Sequence, residues 1–294
     1  MKFGAIDIGT NAARLLIGEV LVDENGLSFI KKISYTRVPL RLGIDVFGTG
    51  GIGQKKKEEF TKTIKAFKLL AEVFDVKALR ACATSAMREA ENGKEIQKHI
   101  LKETNVDIEI IDGSIEADLI FSTFSLLKIE NKKPFIVIDV GGGSTEITIF
   151  KNGQIVASKS FKIGTIRLLQ GKVKDNIWDK IYDWLENNID KKNKYQIFGT
   201  GGNINKIHKL FGKAYMKPIY LDELDELLQD IRPLSIQQRI KTYNLKQDRA
   251  DVIVPALTIY SKILSKLNAY KIYAPKIGLS DGIIYNLHKK ELKL

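Results

Sequence analysis

The hydrophobic and polar positions of the chain write one punctuated hairpin twice. Phe3-Gly-Ala-Ile-Asp7-Ile-Gly9-Thr10-Asn11 runs into Arg14-Leu-Leu-Ile-Gly, and Phe135-Ile-Val-Ile-Asp139-Val-Gly141-Gly142-Gly143-Ser144-Thr145-Glu146 runs into Ile147-Thr-Ile-Phe. In each, an apolar strand ends at an aspartate, a turn rich in glycine, hydroxyl and amide groups follows, and a second apolar strand returns. The repeat continues past the hairpins. A strand-like run ending Val38-Pro-Leu-Arg-Leu-Gly43, a helix, and the buried strand Ala78–Ala83 entering Thr84-Ser85-Ala86-Met87-Arg88 follow the first. A run from Ile155 to Phe161 ending Ile163-Gly164, a helix, and the strand Tyr195–Phe198 entering Gly199-Thr200-Gly201-Gly202-Asn203 follow the second. The chain therefore reads as two copies of one βββαβα unit.

Helical periodicity agrees with that division. Phe60, Ile64, Phe67, Ala71 and Phe74 recur at spacings of three and four, which paints one apolar helix face, with the lysines mostly on the other. Ile177, Ile181, Trp184 and Leu185 form a shorter counterpart. Arg249 and Asp251 open a long apolar helix through Val252, Leu257, Ile259, Ile263 and Leu267. The polar, proline-ended stretch Ile129–Pro134 marks a boundary. The expected organisation is an α/β protein with domains at 1–130 and 131–294, the last helix at 282–292 being placed either in the second domain or back across the interface.

Each turn can be read chemically. Glycine lets successive backbone N–H groups converge into an anion-binding concavity, and Ser or Thr hydroxyls add donors for phosphate oxygens. An aspartate at the strand end offers the hard oxygen that Mg²⁺ prefers. Two such turns facing each other would clamp a phosphate and a magnesium ion, with Gly9, Thr10, Asn11 and Gly141 to Thr145 on the phosphate and Asp7, Asp139 and Glu146 toward the metal. One glycine turn after a strand is an ordinary structural hairpin; the repetition in the same order is what points to chemistry.

Composition adds limits. At 294 residues and 44% hydrophobic, the chain can bury two ordinary cores. No apolar run approaches the roughly 20 residues needed to span a bilayer, and the N-terminus enters strand without a signal-like segment, so a soluble cytoplasmic protein without membrane partners is expected. Cys82, the single cysteine, sits in an apolar strand and reads as a buried structural thiol. The three histidines, His99, His208 and His288, lack zinc-ligand spacing. A net charge of +12 favours a polyanionic partner, although solvated lysine faces give the same count. No aromatic-basic interleaving or recognition-helix pattern marks a nucleic-acid binder.

Six motifs in order carry a specific resemblance: Asp7-Ile-Gly-Thr-Asn11, Thr84-Ser-Ala-Met-Arg-Glu-Ala90, Asp139-Val-Gly-Gly-Gly-Ser-Thr-Glu146, Gly199-Thr-Gly-Gly-Asn203, Arg249-Ala-Asp-Val-Ile253 and Gly278-Leu-Ser-Asp-Gly282. Together they resemble the Ppx/GppA family of exopolyphosphatases and guanosine pentaphosphate phosphohydrolases, within the actin-like phosphotransfer superfamily. The resemblance implies two actin-like, ribonuclease H-like domains with an active-site cleft between them, and a short form of the family without the helical extension of its long members. It implies Mg²⁺, with a monovalent cation such as K⁺ as a companion, and inorganic polyphosphate or guanosine pentaphosphate (pppGpp) as substrate; a homodimer is compatible with it.

The family pattern near Ser-Gly-x-Glu-Glu-Ala aligns with Gly113-Ser-Ile-Glu116-Ala117, where Ile115 replaces the first glutamate and Asp118 stands where an arginine often follows. Glu116 is thereby implied as the residue that orients water, in the first turn of a helix beginning near Ser114. Arg88 is implied as a phosphate contact, against the plainer alternative of a surface pair with Glu89 or Glu91. Gly201 and Gly202 are implied beside phosphate or nucleotide, with helix-start packing as the alternative. Two other classes share the frame: a sugar- or acetate-kinase-like transferase, and an ATP-driven actin-like or chaperone-like switch.

Overall fold

The computed structural model describes residues 1–124, 126–127, 133–190 and 192–292; most of the polar boundary stretch at 129–134 lies outside them. The chain divides into two compact units, Met1–Ile129 with Ile277–Leu294, and Glu130–Lys276.

The first unit runs β1 (Lys2–Ile8), β2 (Ala13–Val22), β3 (Ser28–Val38), α1 (Leu42–Thr49), α2 (Gln54–Val73), β4 (Ala78–Ala83), α3 (Ser85–Glu89), α4 (Gly93–Thr104), β5 (Ile108–Ile110) and α5 (Gly113–Phe124). Its sheet has the order β3-β2-β1-β4-β5. β1, β2 and β3 form an antiparallel meander, while β4 and β5 run parallel to β1. β1 is buried on both faces after its first residue, which is why Phe3 to Ile8 reads as a nearly continuous apolar run rather than an alternating one. On α2, Phe60, Ile64, Phe67 and Ala71 are the buried stripe, and Phe74 is the C-cap just beyond it.

The second unit repeats the frame with β6 (Phe135–Val140), β7 (Thr145–Lys151), β8 (Gln154–Phe161), α6 (Thr165–Leu169), α7 (Ile177–Asn188), β9 (Gln196–Thr200) and α8 (Gly201–Leu210). It continues with β10 (Ile219–Tyr220), α9 (Leu221–Ile231), α10 (Ile236–Tyr243), α11 (Gln247–Ala250), α12 (Ile253–Lys266) and β11 (Lys271–Ile272). The sheet order is β8-β7-β6-β9, with β9 parallel to β6. Tyr273 extends it: its N–H donates to Ile197 at 2.9 Å and its carbonyl accepts from Gly199 at 2.8 Å, filling the place that β5 holds in the first unit. Both units thus follow the actin-like βββαβα frame.

Two expectations change. The apolar helix read from Arg249 is two pieces, because Pro255 carries no N–H to donate to Asp251; restarting at Ile253 puts the proline in a first turn, where no such bond is required. The last helix, α13 (Leu279–Leu292), belongs to the first unit, so the second ends at Lys276 rather than at 294. Its Leu279, Ile283 and Ile284 join Phe3, Ala5, Leu16, Val20, Cys82, Ile111 and Leu119 in one apolar cluster. Its burial partners are more than 150 positions away in the sequence, so the pattern alone could not choose between the two placements expected for it.

Candidate active site

In the first unit the expected residues gather at the carboxyl ends of the parallel strands, where open α/β sheets place ligands. β1 delivers Asp7 and the Gly9-Thr10-Asn11 turn, β4 delivers Thr84-Ser85 and α3 with Arg88, and β5 delivers α5 with Glu116. The hydroxyls of Thr10 and Ser85 hydrogen-bond at 2.7 Å, fixing the turn against the start of α3. Arg88 Nη1 donates to the carbonyl of Ile111 at 2.6 Å, so it ties α3 to the lead-in of α5 rather than pairing at the surface.

Asp112 caps α5: its Oδ1 accepts from the N–H of Ser114 and of Ile115, each at 2.9 Å, and from the Ser114 hydroxyl at 2.7 Å. Those bonds, the Ser114 hydroxyl first, hold its carboxyl below the usual carboxylate range, with the Arg88 charge adding to them. The helix therefore begins at Gly113 and half-buried Glu116 falls in its first turn, where the helix dipole favours an ionised carboxylate.

In the second unit, the Gly141–Ser144 turn is fastened by its carbonyls. Gly141 C=O accepts from Thr165 N–H at 3.0 Å, Gly142 C=O from Ile166 N–H at 2.8 Å and Arg167 N–H at 3.1 Å, and Gly143 C=O from buried Arg167 Nε at 2.7 Å. In a planar trans peptide the N–H points opposite to the C=O. The N–H groups of Gly142, Gly143 and Ser144 are consequently aimed away from α6, as an anion-binding concavity requires.

The first unit repeats the device. Thr10 C=O accepts from Gly43 N–H at 3.0 Å and Asn11 C=O from Arg41 N–H at 3.1 Å, which turns the N–H groups of Asn11 and Ala12 the other way. Even the closing bond is duplicated, Gly9 N–H to Ala12 C=O at 3.1 Å and Gly141 N–H to Ser144 C=O at 3.0 Å. Thr145 serves the support of its turn, donating its hydroxyl to Ile163 C=O at 2.6 Å.

The side chains flanking the two turns differ in kind. Strand register aligns Arg37, Arg14, Asp7, Cys82 and Glu109 across the first sheet. The matching row in the second is Ser160, Glu146, Asp139 and Thr200. Arg14 is ion-paired with Asp7, so that aspartate is already matched by a cation. In the second unit two carboxylates oppose each other, with Ser160 Oγ donating to Glu146 at 2.6 Å and Thr200 Oγ1 to Asp139 at 2.9 Å. Gly201 presses on the same group: at φ +85°, a Cβ there would lie 2.6 Å from Asp139 Oδ1.

Asn203 bridges α8 to β6 through Val140 C=O at 2.7 Å and accepts from Arg249 at 3.2 Å, so three of the six sequence motifs meet here. Arg14, Asp112 and Arg167 had no role assigned from the sequence. The one signal for Arg14 was its place in the hairpin where the second copy has Glu146.

These features define a duplicated α/β protein whose two halves each present an anion-directed turn at the ends of their parallel strands. The chain belongs to the Ppx/GppA phosphatase family, whose model matches residues 20–291 and so begins after the first turn. It is 29% identical over 288 residues to a bifunctional 3-dehydroquinate synthase/phosphatase of Fusobacterium nucleatum, covering 88% of this chain but 42% of that relative, so the chain spans less than half of that protein's length. It is 23% identical to exopolyphosphatase 1 of Mycobacterium tuberculosis, covering 97% of this chain and 87% of the relative. The crystal structure of the Aquifex aeolicus member of the Ppx/GppA family has the same fold, with a TM-score of 0.77 at 24% identity over 99% of this chain and 98% of the other.

Proposed function

We propose that the protein is a phosphoanhydride hydrolase acting as an exopolyphosphatase, releasing the terminal phosphate of inorganic polyphosphate, with guanosine pentaphosphate as the alternative substrate. The observation that carries this reading is the Gly141–Ser144 turn, whose Gly141, Gly142 and Gly143 carbonyls are all held by α6 so that the N–H groups of Gly142, Gly143 and Ser144 aim the other way. Such a turn suits phosphate oxygens, and the net charge of +12 suits a polyanion.

The donor set beside the turn fits Mg²⁺. Among the described residues no three His, Cys, Asp or Glu side chains form an all-protein metal cage. Mg²⁺, however, is commonly held by one or two carboxylates, with phosphate and water completing its shell. Asp139 and Glu146, directly opposed across the β6–β7 ladder, are such a pair. When bound, the ion would offset charge shared by the transferred and leaving phosphates. Asp7, already paired with Arg14, is the weaker candidate for that ion.

The remaining roles belong to the chain itself. The glycine turns hold phosphate oxygens through backbone N–H groups, and the Arg88 guanidinium adds donors for a non-bridging oxygen. Glu116, in the first turn of α5, orients a water toward the terminal phosphorus and accepts its proton late. Positioning matters more than basicity here, because phosphoryl transfer proceeds through a loose transition state.

The test is phosphate release from long-chain polyphosphate and from guanosine pentaphosphate, side by side, with Mg²⁺ and with chelator, for the wild type and Glu116→Gln. Loss of the glutamate is expected to cost about 10² to 10⁴ in rate. The faster substrate decides between the two, and absence of release from both by the wild type would refute the reading.

A further inference from the structure

α13 and α5 cross with their backbones in contact. A Cβ built on Gly282 would lie 2.0 Å from the carbonyl oxygen of Leu119 and 2.5 Å from its carbonyl carbon. Gly282 does not have a positive φ, so glycine is not required there by its own backbone conformation. It is required by the neighbour, and at a helical position that otherwise disfavours glycine. α13 touches α5 more broadly than any other element. Its N-terminal end is anchored beside the crossing: buried Asp281 accepts the Gly278 N–H at 3.1 Å and pairs with Lys32 at 2.8 Å. Leu279, Ile283 and Ile284 are sunk in the cluster with Phe3 and Leu16.

Leu119 stands one turn after Glu116 on α5, and a short helix moves as a rod, so whatever sets the height of Leu119 sets that of Glu116. We propose that Gly282 is a positioning residue for Glu116: the close crossing seats α5 at the depth at which the Glu116 carboxylate can orient water. This rests on the role given to Glu116 above. A methyl group at Gly282 would force α5 outward by about 1 Å to reach even the tightest contact a Cβ makes. Displacement of a reacting group by about 1 Å costs on the order of 10² in rate.

The test compares Gly282→Ala with two controls, by steady-state phosphate release from polyphosphate and by thermal melting. In Gly282→Ala, kcat is expected to fall about 30- to 100-fold while KM stays within about threefold, the mark of lost alignment rather than lost binding. Leu119→Ala thins the same packing without pushing α5, so it is expected to lower the melting temperature and keep kcat. Gly278→Ala, which meets nothing within 4 Å, is expected to match the wild type in both. A folded Gly282→Ala with wild-type kcat overturns the proposal, as does a Leu119→Ala that loses kcat equally.

If Gly282→Ala does not fold, Asp281→Asn carries the test by loosening the anchor without added bulk. A kcat lowered about 3- to 10-fold at constant KM supports the proposal, and wild-type kcat overturns it. Glu116→Gln separates the two levels: retained activity there refutes the role of Glu116 itself, whereas an inactive Glu116→Gln beside a wild-type Gly282→Ala refutes the positioning alone.

Discussion

Gly164→Ala probes whether the second glycine turn depends on how closely α6 is seated beneath it. Gly164 has φ −150° and ψ 170°, extended backbone open to any residue, so alanine brings no conformational strain of its own. Its Cβ, however, would lie 2.5 Å from Gly142 C and from Gly143 N, both backbone atoms. Restoring an ordinary contact of 3.4 Å moves the turn and α6 apart by about 0.9 Å. The bonds from Thr165 and Ile166 to the Gly141 and Gly142 carbonyls, now 3.0 and 2.8 Å, would stretch past hydrogen-bonding distance. The aim of the opposing N–H groups is lost with them. Overpacking of this kind costs about 1 to 3 kcal/mol, which lowers the melting temperature by roughly 3 to 10 °C in a domain of this size. Misplacing the phosphate cradle by nearly an ångström should lower turnover by about 10². Stopped-time phosphate release and differential scanning fluorimetry read both quantities. A Gly164→Ala protein with a melting temperature within about 1 °C of the wild type and turnover within about threefold would refute the argument.

Two further outcomes follow from titratable groups. Burial raises the Asp281 carboxyl above its ordinary 3.8, outweighing the Lys32 charge that lowers it. Its contribution to stability is therefore full below pH 3.8 and is lost as pH rises through the raised value, so Asp281→Asn should gain on the wild type in denaturant melts from pH 4 toward 7. A variant that loses ground over that range would contradict this. The Cys82 thiol is pushed up to about 12, first by burial and then by the Glu109, Asp7 and Glu116 carboxylates against the opposing Arg80 charge. The native protein at pH 8 should resist Ellman's reagent and react fully once unfolded in guanidinium; rapid reaction of the native form would show the site to be open.

Much of the frame was legible because it is written locally. Strand, aspartate, glycine turn and returning strand lie within about 15 residues in each hairpin, and the α2 stripe declares itself by spacing. The place of Glu116 in the first turn of a helix that follows a strand was legible too, whereas its role was implied by the family resemblance alone. What escaped depends on distant partners. Gly164 and Gly282 look like loop and helix glycines until Gly142 and Leu119 are found against them. Asp7 and Asp139 look equivalent until register sets Arg14 opposite one and Glu146 opposite the other. The motif Gly278 to Gly282 carries no reacting group on this reading; its aspartate anchors a helix and its last glycine admits a neighbour.

The membership of α13 in the first unit also sets a schedule for synthesis on the ribosome. β1 to α5 are complete by Phe124, yet the cluster that joins Phe3, Leu16 and Leu119 lacks Leu279, Ile283 and Ile284 until the final stretch emerges. At about 5 to 20 residues per second, translation leaves that apolar face uncovered for roughly 8 to 30 seconds. The second unit, continuous from Glu130 to Lys276, has its whole chain available sooner. The half made first is thus the half finished last.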